Sequence, residues 1–399
     1  MKDLKRGRIR SLPRELHIAA LARSVSVVGA EVADIVLLLR LVDHGGGGWA
    51  IAGLMIAASL PMVLLAPLLG TIADRYDSRI LIVTTGLWQA AGCVLLIFIS
   101  APIAVMAMAA FVAIGSAVAN PVFGGLTKVM VPDEQLSAAS SLQQGGQLIA
   151  TLAGPPLGGL LYGSFGGAGE PLLIAAGAFL AITAAGLLIR TRRRPDLDED
   201  DEQSASGGMS LLFSDQILVA VVVLAVLIIV VGGAIGVAEP LLVLNVFHAS
   251  GVVFGLLGAT YTVGMLVGTA YASRLDTVPK ILIGIPAGAA TFGLSFALTG
   301  VFNSLVAVFL LFVAAGVGAA VSSVGTGTLL LLRTSDATVG RVLASYAAIT
   351  RAAGLISTGL GGLVTGLLSP QLVFLVCGVL ELLAVLVSAP RLAAARRAA

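Results

Sequence analysis

Charged residues are scarce in this sequence. Only 11% of its 399 residues are Asp, Glu, Lys or Arg, whereas an ordinary soluble domain carries about 25%. Hydrophobic residues make up 58% of the chain, and the mean hydropathy is +1.05. A water-soluble chain of this length needs far more polar surface than so few charged side chains provide. The composition therefore excludes a soluble globular protein and predicts that the chain lies in a lipid bilayer.

Residues that bind nucleotides, metals or reactive intermediates are also few. None of the four lysines follows a glycine, so the chain has no G-x-x-x-x-G-K-[ST] phosphate loop and ATP is not its energy source. The two cysteines, Cys93 and Cys377, lie in apolar runs, and the three histidines have no spacing suited to a metal or a Ser-His-Asp triad. The net charge of +2 gives no indication of nucleic-acid binding. We therefore predict no enzymatic activity, no cofactor, no metal site and no nucleic-acid partner.

Apolar segments long enough to cross a membrane recur along the whole chain. A spanning helix needs about 20 mostly apolar residues, and clusters of Gly, Pro and charged residues divide the sequence into stretches of about that length. The seventh stretch is longer, and a group of glycines with Pro240 predicts a bend in it. The sequence predicts an all-α integral membrane protein with twelve transmembrane helices, at residues 16–41, 49–71, 80–100, 103–124, 139–163, 171–190, 215–245, 252–272, 280–302, 304–328, 342–368 and 371–389.

The positions of the basic residues test this count independently, because Lys and Arg gather in cytoplasmic loops. With the N-terminus in the cytosol, 20 of the 23 basic residues fall in inner segments and none falls in an outer loop. The other three, Arg23, Arg40 and Arg351, lie within spans. The first apolar run contains Arg23, Glu31 and Asp34, which is atypical of a signal peptide. We expect both termini in the cytosol, with an N-terminal segment at 1–15 and a tail at 390–399.

One long polar stretch divides the chain in two. The sequence RTRRRPDLDEDDEQSASGG begins at Arg190, and we interpret residues 191–210 as a solvated linker between six-helix bundles at 16–190 and 211–389. Short matches recur in the same order about 200 residues apart, which indicates two pseudo-symmetric, parallel repeats. Transporters with such repeats bind substrate near the bilayer midplane. The matching pairs are Val32-Ala33-Asp34 with Val237-Ala238-Glu239, Gly70-Thr71 with Gly268-Thr269, Ile80-Leu81-Ile82 with Ile281-Leu282-Ile283, and Phe111-Val112-Ala113 with Phe312-Val313-Ala314.

Charged side chains inside the spans are the best pointers to function. Each costs about 2.5–3.5 kcal/mol to insert and normally faces a cavity or a partner. At about 100° per residue, Arg23, Glu31 and Asp34 share one side of the first helix. Arg23 lies two turns or more from both acids, too far for a direct ion pair. We therefore expect the acids to bind and release protons in a cavity, which Glu239, the repeat partner of Asp34, would reach from the second half.

A structural role is the alternative for these residues. The three acids could pair with Arg351 or with another helix and only hold the bundle together. Arg23 and Arg351 could equally serve as counter-ions or as substrate contacts. Glu381 lies alone in the twelfth span without an evident partner, and we do not include it among the candidate site residues.

The loop after the second span has the sequence GTIADRYDSR and begins at Gly70. It resembles the G-x-x-x-D-R-x-G-R-[RK] loop between helices 2 and 3 of the major facilitator superfamily, in the place expected for a twelve-helix chain of two halves. The resemblance implies a latch that closes the inner side: Gly70 permits close helix approach, and Asp74 pairs with a cation and with the positive end of a facing helix. The alternative is a set of ordinary loop charges. The matching residues are Gly70, Asp74, Arg75 and Arg79.

The fifth span contains the sequence GPPLGG. It is similar to the G-P-x-x-G-G core of the antiporter motif of facilitator exporters. Proline with paired glycines weakens the helix and makes a smooth surface; the alternative is a generic glycine-rich packing face. These exporters carry a basic residue in helix 4, but Phe111 takes its place here, which shifts the expected proton coupling toward the first span and Glu239. The matching residues are Gly154, Pro155, Gly158 and Gly159.

Three further features look like those of bacterial drug and siderophore exporters: the D-R-x-D loop, the acid after Val28-Gly29-Ala30, and Val131-Pro132-Asp133-Glu134 before the fifth span. The resemblance implies a proton-coupled exporter of small amphipathic compounds, such as drugs, that works by alternating access in the bacterial inner membrane. Its partners would be the small-molecule substrate, protons and the lipid bilayer, and we expect a monomer. The alternatives are an exporter of one natural product such as a siderophore, a facilitator-type importer, or a membrane receptor or scaffold that does not transport.

Overall fold

The structure of the protein is a computed structural model, which describes residues 13–65, 68, 72, 75–191, 209, 212–213, 215–275, 277–334 and 338–398. Within these ranges the regular elements are twelve long helices, without any strand. This result confirms the predicted all-α fold class. The helices are α1 Arg14–Asp43, α2 Gly48–Leu64, α3 Ser78–Phe98, α4 Pro102–Met130, α5 Asp133–Phe165, α6 Gly169–Leu188, α7 Gln216–Leu241, α8 Gly251–Ala272, α9 Val278–Thr299, α10 Leu305–Leu332, α11 Val339–Leu367 and α12 Pro370–Ala398.

Each helix corresponds to one predicted span, and most ends differ by a few residues. Helix α2 ends at Leu64, and most of the remaining part of the predicted second span, up to residue 71, lies outside the described residues. Ten of the described helical segments are long and apolar enough to cross a membrane, and α2 is apolar but has only 17 residues. The remaining helix, α1, carries four charged residues between positions 23 and 40.

Side chains and backbone geometry fix several helix ends. Asp77 and Asp215 stand before α3 and α7, and each carboxylate accepts a hydrogen bond of 2.8 Å from the backbone N–H two residues later. At the other end of α5, Gly166 has a φ of +68°, the left-handed conformation that stops a helix and favours glycine. Helix α7 changes its pattern after Pro240 and continues as a π-helical turn over Leu242–Val246.

The first compact unit comprises Met1–Gly46, Gly53–Asp200 and Ser250–Gly255. In it α1 packs against α5 and α6, while α3 packs against α6 and α4. Small residues allow these contacts, since lipid provides little hydrophobic drive for helices to associate. A Cβ atom on Gly29 of α1 would lie only 2.7 Å from the Ala178 Cβ of α6.

The second compact unit comprises Gly47–Ala52, Asp201–Ala249 and Leu256–Ala399. Helix α9 lies between α10 and α12, and α7 packs against α11 and α12. The α9–α10 contact is again close, because a Cβ on Gly318 would lie 2.5 Å from the Gly288 carbonyl oxygen. Edge-to-face and tilted aromatic rings fill the core beside this contact. These rings belong to Phe292, Phe296, Phe312 and Phe374.

Candidate functional site

Helices α1, α2, α3, α4 and α6 of the first unit line a cavity of about 140 Å³, and Asp34 supplies the charged side chain in its lining. Although it lies well inside α1, Asp34 is exposed to this open space. No basic side chain in the described part of the chain forms an ion pair with it. The other lining residues are Ala30, Ala33, Leu37, Ala58, Met62, Cys93, Leu96, Ala109, Val112, Ala113, Ser116 and Phe179.

The size of this cavity limits what it can bind. Sites for drug-sized ligands occupy about 300–1,000 Å³, whereas one water molecule takes about 30 Å³ of the liquid. The cavity of about 140 Å³ therefore holds a few water molecules beside Asp34, but no drug-sized molecule. This environment suits the uptake and release of a proton rather than the binding of a large substrate.

The sequence interpretation missed two polar residues at this cavity: Ser116 belongs to its lining, and Gln89 lies behind Ser116. Gln89 of α3 is fully buried, and its Nε2 atom donates a hydrogen bond of 2.7 Å to the Ser116 Oγ of α4. Because the Ser116 oxygen accepts this bond, its own O–H remains able to donate a second one. The signal in the sequence was an amide side chain within an otherwise apolar span.

Glu31 faces a different neighbour from Asp34. A Cβ atom on Gly154 of α5 would lie 2.3 Å from the Glu31 Cβ, so the acid occupies the space that this glycine leaves. One turn later, Gly158 lies against Ile35 of α1, and a Cβ added to this glycine would lie 3.0 Å from the Ile35 Cβ. The structure thus brings together an acid of the first span and the glycines of the antiporter-type sequence.

The other two residues of that sequence meet the start of α8, within the same compact unit. A Cβ on Gly159 would lie 2.1 Å from the Gly251 carbonyl oxygen, and one on Gly255 would lie 2.4 Å from the Pro155 carbonyl oxygen. Glycine at these positions therefore lets two backbones touch.

Arg23 lies apart from both acids of its helix. Its side chain is 6% exposed, and Nη2 donates a hydrogen bond to the Asn120 Oδ1 of α4. The guanidinium also stands 5.8 Å from the centre of the Phe123 ring, in a cation–π contact. Arg23 thus stands apart from Glu31 and Asp34. The two acids lie one turn apart on α1, near enough to interact electrostatically, although each faces a different neighbour.

In the second unit, Glu239 of α7 is half-buried and lies close enough to Tyr261 of α8 for the two to interact electrostatically. The sequence interpretation did not include Tyr261, because no pattern in α8 distinguishes it. Arg351 of α11 is exposed, and within the described residues of this unit it forms no ion pair with an acid.

The loop between α2 and α3 is described only in part. Gly70 and Asp74 lie outside the described residues. Arg75 is exposed, whereas the Arg79 Nη2 donates a hydrogen bond of 3.1 Å to the Leu187 carbonyl oxygen near the end of α6. A cation at this place satisfies one of the carbonyl groups left free at a helix C-terminus.

Twelve mostly apolar helices in the described ranges, with the acid Asp34 at an internal cavity, have the construction of a membrane transporter. The sequence comparison agrees: the family model described as "Major Facilitator Superfamily" matches residues 20–235 and 221–398. The chain therefore belongs to the Major Facilitator Superfamily. The family match makes it a multi-pass membrane transporter and not an enzyme.

Curated relatives match part of the chain. Macrolide efflux protein A of Streptococcus pyogenes is 26% identical over 145 residues, which cover 35% of this chain and 36% of that protein. The protein of the same name from Enterococcus faecalis is 29% identical over 121 residues, 29% of this chain and 38% of the relative. The match thus spans less than two fifths of the length of these relatives.

Solved structures match nearly the whole chain. A bacterial homologue of the human lysosomal transporter Spinster has a TM-score of 0.72 at 14% identity and covers 96% of both chains. A peptide transporter, POT, has a TM-score of 0.73 at 16% identity and covers 97% of this chain and 98% of that one. At such identities the similarity shows the fold.

Proposed function

We propose that this transporter exports small amphipathic compounds, drugs among them, in exchange for protons and by alternating access. The macrolide efflux proteins that it matches, the antiporter-type sequence of α5 and the acids within the helices support this proposal. The bacterial relatives support a location in the bacterial inner membrane, and the basic inner segments support cytosolic termini. The transporter acts as a monomer.

The observation that carries the proposal is the position of Asp34. Its carboxyl group faces a cavity of water-sized dimensions, and no described cation neutralises it. A charge at such a site is stable only while water reaches the carboxylate, so closing the cavity favours proton uptake and opening it favours release. A conformational change of the bundle is thereby coupled to a proton.

Glu31 and Glu239 are the other proposed proton carriers. Glu31 lies on the surface where α1 meets Gly154, so movement of α5 changes the surroundings of this acid directly. Glu239 has the Tyr261 phenol nearby, a group that can donate a hydrogen bond to the carboxylate. Protons that enter from outside load these acids, and their release toward the cytosol accompanies the outward movement of substrate.

The proposed latch consists of Gly70, Asp74, Arg75 and Arg79. The contact of Arg79 with the end of α6 supports it, because this bond ties the start of α3 to a neighbouring helix of the same unit. Arg75 is exposed and has no part in this contact, so it is available to meet another surface when the inner side closes. The two arginines thus have separate tasks in the latch.

Transport of a radiolabelled macrolide into proteoliposomes under an imposed pH gradient tests the proposal. We expect Asp34→Asn to abolish accumulation against the macrolide gradient while exchange down the gradient continues. Glu31→Gln and Glu239→Gln should each change the number of protons moved per macrolide. Glu170→Gln, which alters an exposed acid in the first turn of α6, is the matched control and should behave as wild type. Unaltered coupling of macrolide transport to protons in all three variants would refute the assignment of these acids as proton carriers.

A further inference from the structure

Glu381 of α12 is a fully buried acid that the proposed transport function does not use. Its side chain is 0% exposed, and both carboxyl oxygens lack a hydrogen-bond partner among the described residues. Both atoms are therefore cut off from solvent and from every described donor of the bundle. A carboxylate in this position would have no compensation for its charge, whereas a neutral carboxylic acid fits at much lower cost.

The acid lies where α12 crosses α9 at backbone contact. A Cβ on Gly378 of α12 would lie 2.4 Å from the Gly293 carbonyl oxygen of α9, and a Cβ on Gly293 would lie 2.9 Å from the Glu381 Cβ. Glu381 follows Gly378 by one turn, so its stem rests directly on Gly293. The two glycines bring the helices so close that no water fits between them here.

Next to this crossing the two helices separate. A groove of about 370 Å³ opens between them, and it begins at Ala290, one turn before Gly293, and at Val385, one turn after Glu381. Glu381 therefore stands at the point where close contact changes to open space. An extension of the groove by one helical turn would bring it to the carboxyl group.

No charged group in the described parts of α9, α7 and α11, the helices packed against α12, reaches Glu381. Lys280 of α9 is 13 residues from Gly293, about 20 Å along the helix, and Arg391 is 10 residues beyond Glu381, about 15 Å. Cys377 precedes Glu381 by one turn and is the nearest titratable group on α12. The titratable groups on the facing helices are Glu239 on α7, Lys280 on α9, and Arg341, Tyr346 and Arg351 on α11.

We propose that Glu381 is a reversible proton-binding site inside the second unit, which is loaded when α12 closes on α9 and emptied when the crossing opens to water. The ligand is a proton, taken up on one carboxylate oxygen to form the neutral acid. This site is separate from Glu31, Asp34 and Glu239, and the proposal does not depend on whether those acids carry the transport protons.

Infrared titration of the reconstituted transporter tests the proposal without any transport measurement. In a background of Glu31→Gln, Asp34→Asn and Glu239→Gln, we expect a carbonyl band of a neutral carboxylic acid that disappears as the pH rises. Adding Glu381→Gln should remove one carboxyl per chain from this band, whereas Glu170→Gln should leave it unchanged. A band that Glu381→Gln does not reduce, or that persists at every pH, would overturn the proposal.

Cys377 provides a second readout that does not depend on the folding of the quadruple variant. In a Cys93→Ala background, labelling of Cys377 by a small thiol reagent should increase more steeply with pH than in the same background with Glu381→Gln, because the emptied acid admits water beside the thiol. Equal pH dependence in the two proteins would contradict the opening of the crossing.

Discussion

Gly154 of α5 lies directly against the side chain of Glu31 of α1, with a distance of 2.3 Å between the position of an added Cβ and the Glu31 Cβ. Any larger residue at this position overlaps the acid or separates the two helices. The relationship joins the antiporter-type sequence to a proposed proton carrier. It also explains why a glycine, rather than another small residue, is needed at this point of α5.

Replacement of this glycine therefore provides the first prediction. We expect Gly154→Ala to destabilise the transporter by about 1–3 kcal/mol through overpacking and to reduce proton-coupled export strongly. Gly163→Ala is the matched control on the same helix, since an added Cβ there meets no atom within 4 Å. Thermal unfolding and proteoliposome transport measure the two effects. If both alanine variants transport equally well, the contact with Glu31 has no part in coupling.

Arg75, which precedes α3, and Arg79, in the first turn of α3, should differ in their effect on stability. Arg79→Ala removes the hydrogen bond to the Leu187 carbonyl oxygen, which is partly exposed to solvent, so we expect a loss of about 0.5–1 kcal/mol in unfolding free energy. Arg75→Ala removes an exposed side chain and should leave the stability unchanged. Denaturation of the purified proteins distinguishes them. Equal stability of the two variants would show that the Arg79 bond contributes nothing.

Glu15, which precedes the first predicted span, gives a prediction about pH. Its carboxylate accepts hydrogen bonds from the Thr191 hydroxyl at 2.6 Å and from the Thr191 and Arg190 N–H groups at 3.1 and 3.3 Å. The Thr191 hydroxyl above all, with these N–H groups, lowers the pKa of Glu15. These hydrogen bonds form a tie between the start of α1 and the end of α6. The tie contributes its full stability above the pKa that Glu15 has in the unfolded chain, and this contribution is lost as the pH falls through the lowered pKa of the folded protein.

Amide exchange at Thr191 measures this tie. After correction for intrinsic rates, we expect protection to fall at acid pH in the wild type and to be independent of pH in Glu15→Gln, because the amide keeps an acceptor oxygen but does not titrate. Glu170→Gln serves as the control with an intact tie. A pH dependence of Thr191 protection that is the same in Glu15→Gln and wild type would disprove the role of this carboxylate.

We expect Tyr261 to influence the proposed proton binding by Glu239. Tyr261→Phe removes the phenol hydroxyl but keeps the ring, so we expect the pH midpoint of transport to shift while the protein stays folded. In a Glu239→Gln background the same change should have no further effect on this midpoint, because interacting residues are non-additive. The four proteins to compare are the wild type, Tyr261→Phe, Glu239→Gln and the double variant. If the shifts of the two single variants add in the double variant, Tyr261 does not act through Glu239.

The sequence by itself determined the twelve helices and the membrane class. A span depends on the length of an apolar run, and this property is local to the run. The short motifs in the α2–α3 loop and in α5 were also visible, because their glycines, proline and charges are consecutive or nearly so. The family match over residues 20–235 and 221–398 confirms the superfamily that they indicated.

Only the tertiary structure decided which neighbour each polar residue meets. Arg23, Glu31 and Asp34 share one side of a helix in projection, yet Arg23 bonds to α4, Glu31 lies against α5 and Asp34 faces the cavity. The pairing of Gln89 with Ser116 and the burial of Glu381 against Gly293 also depend on residues far apart in the chain. Periodicity assigns a residue to a face, but helix packing selects its partner.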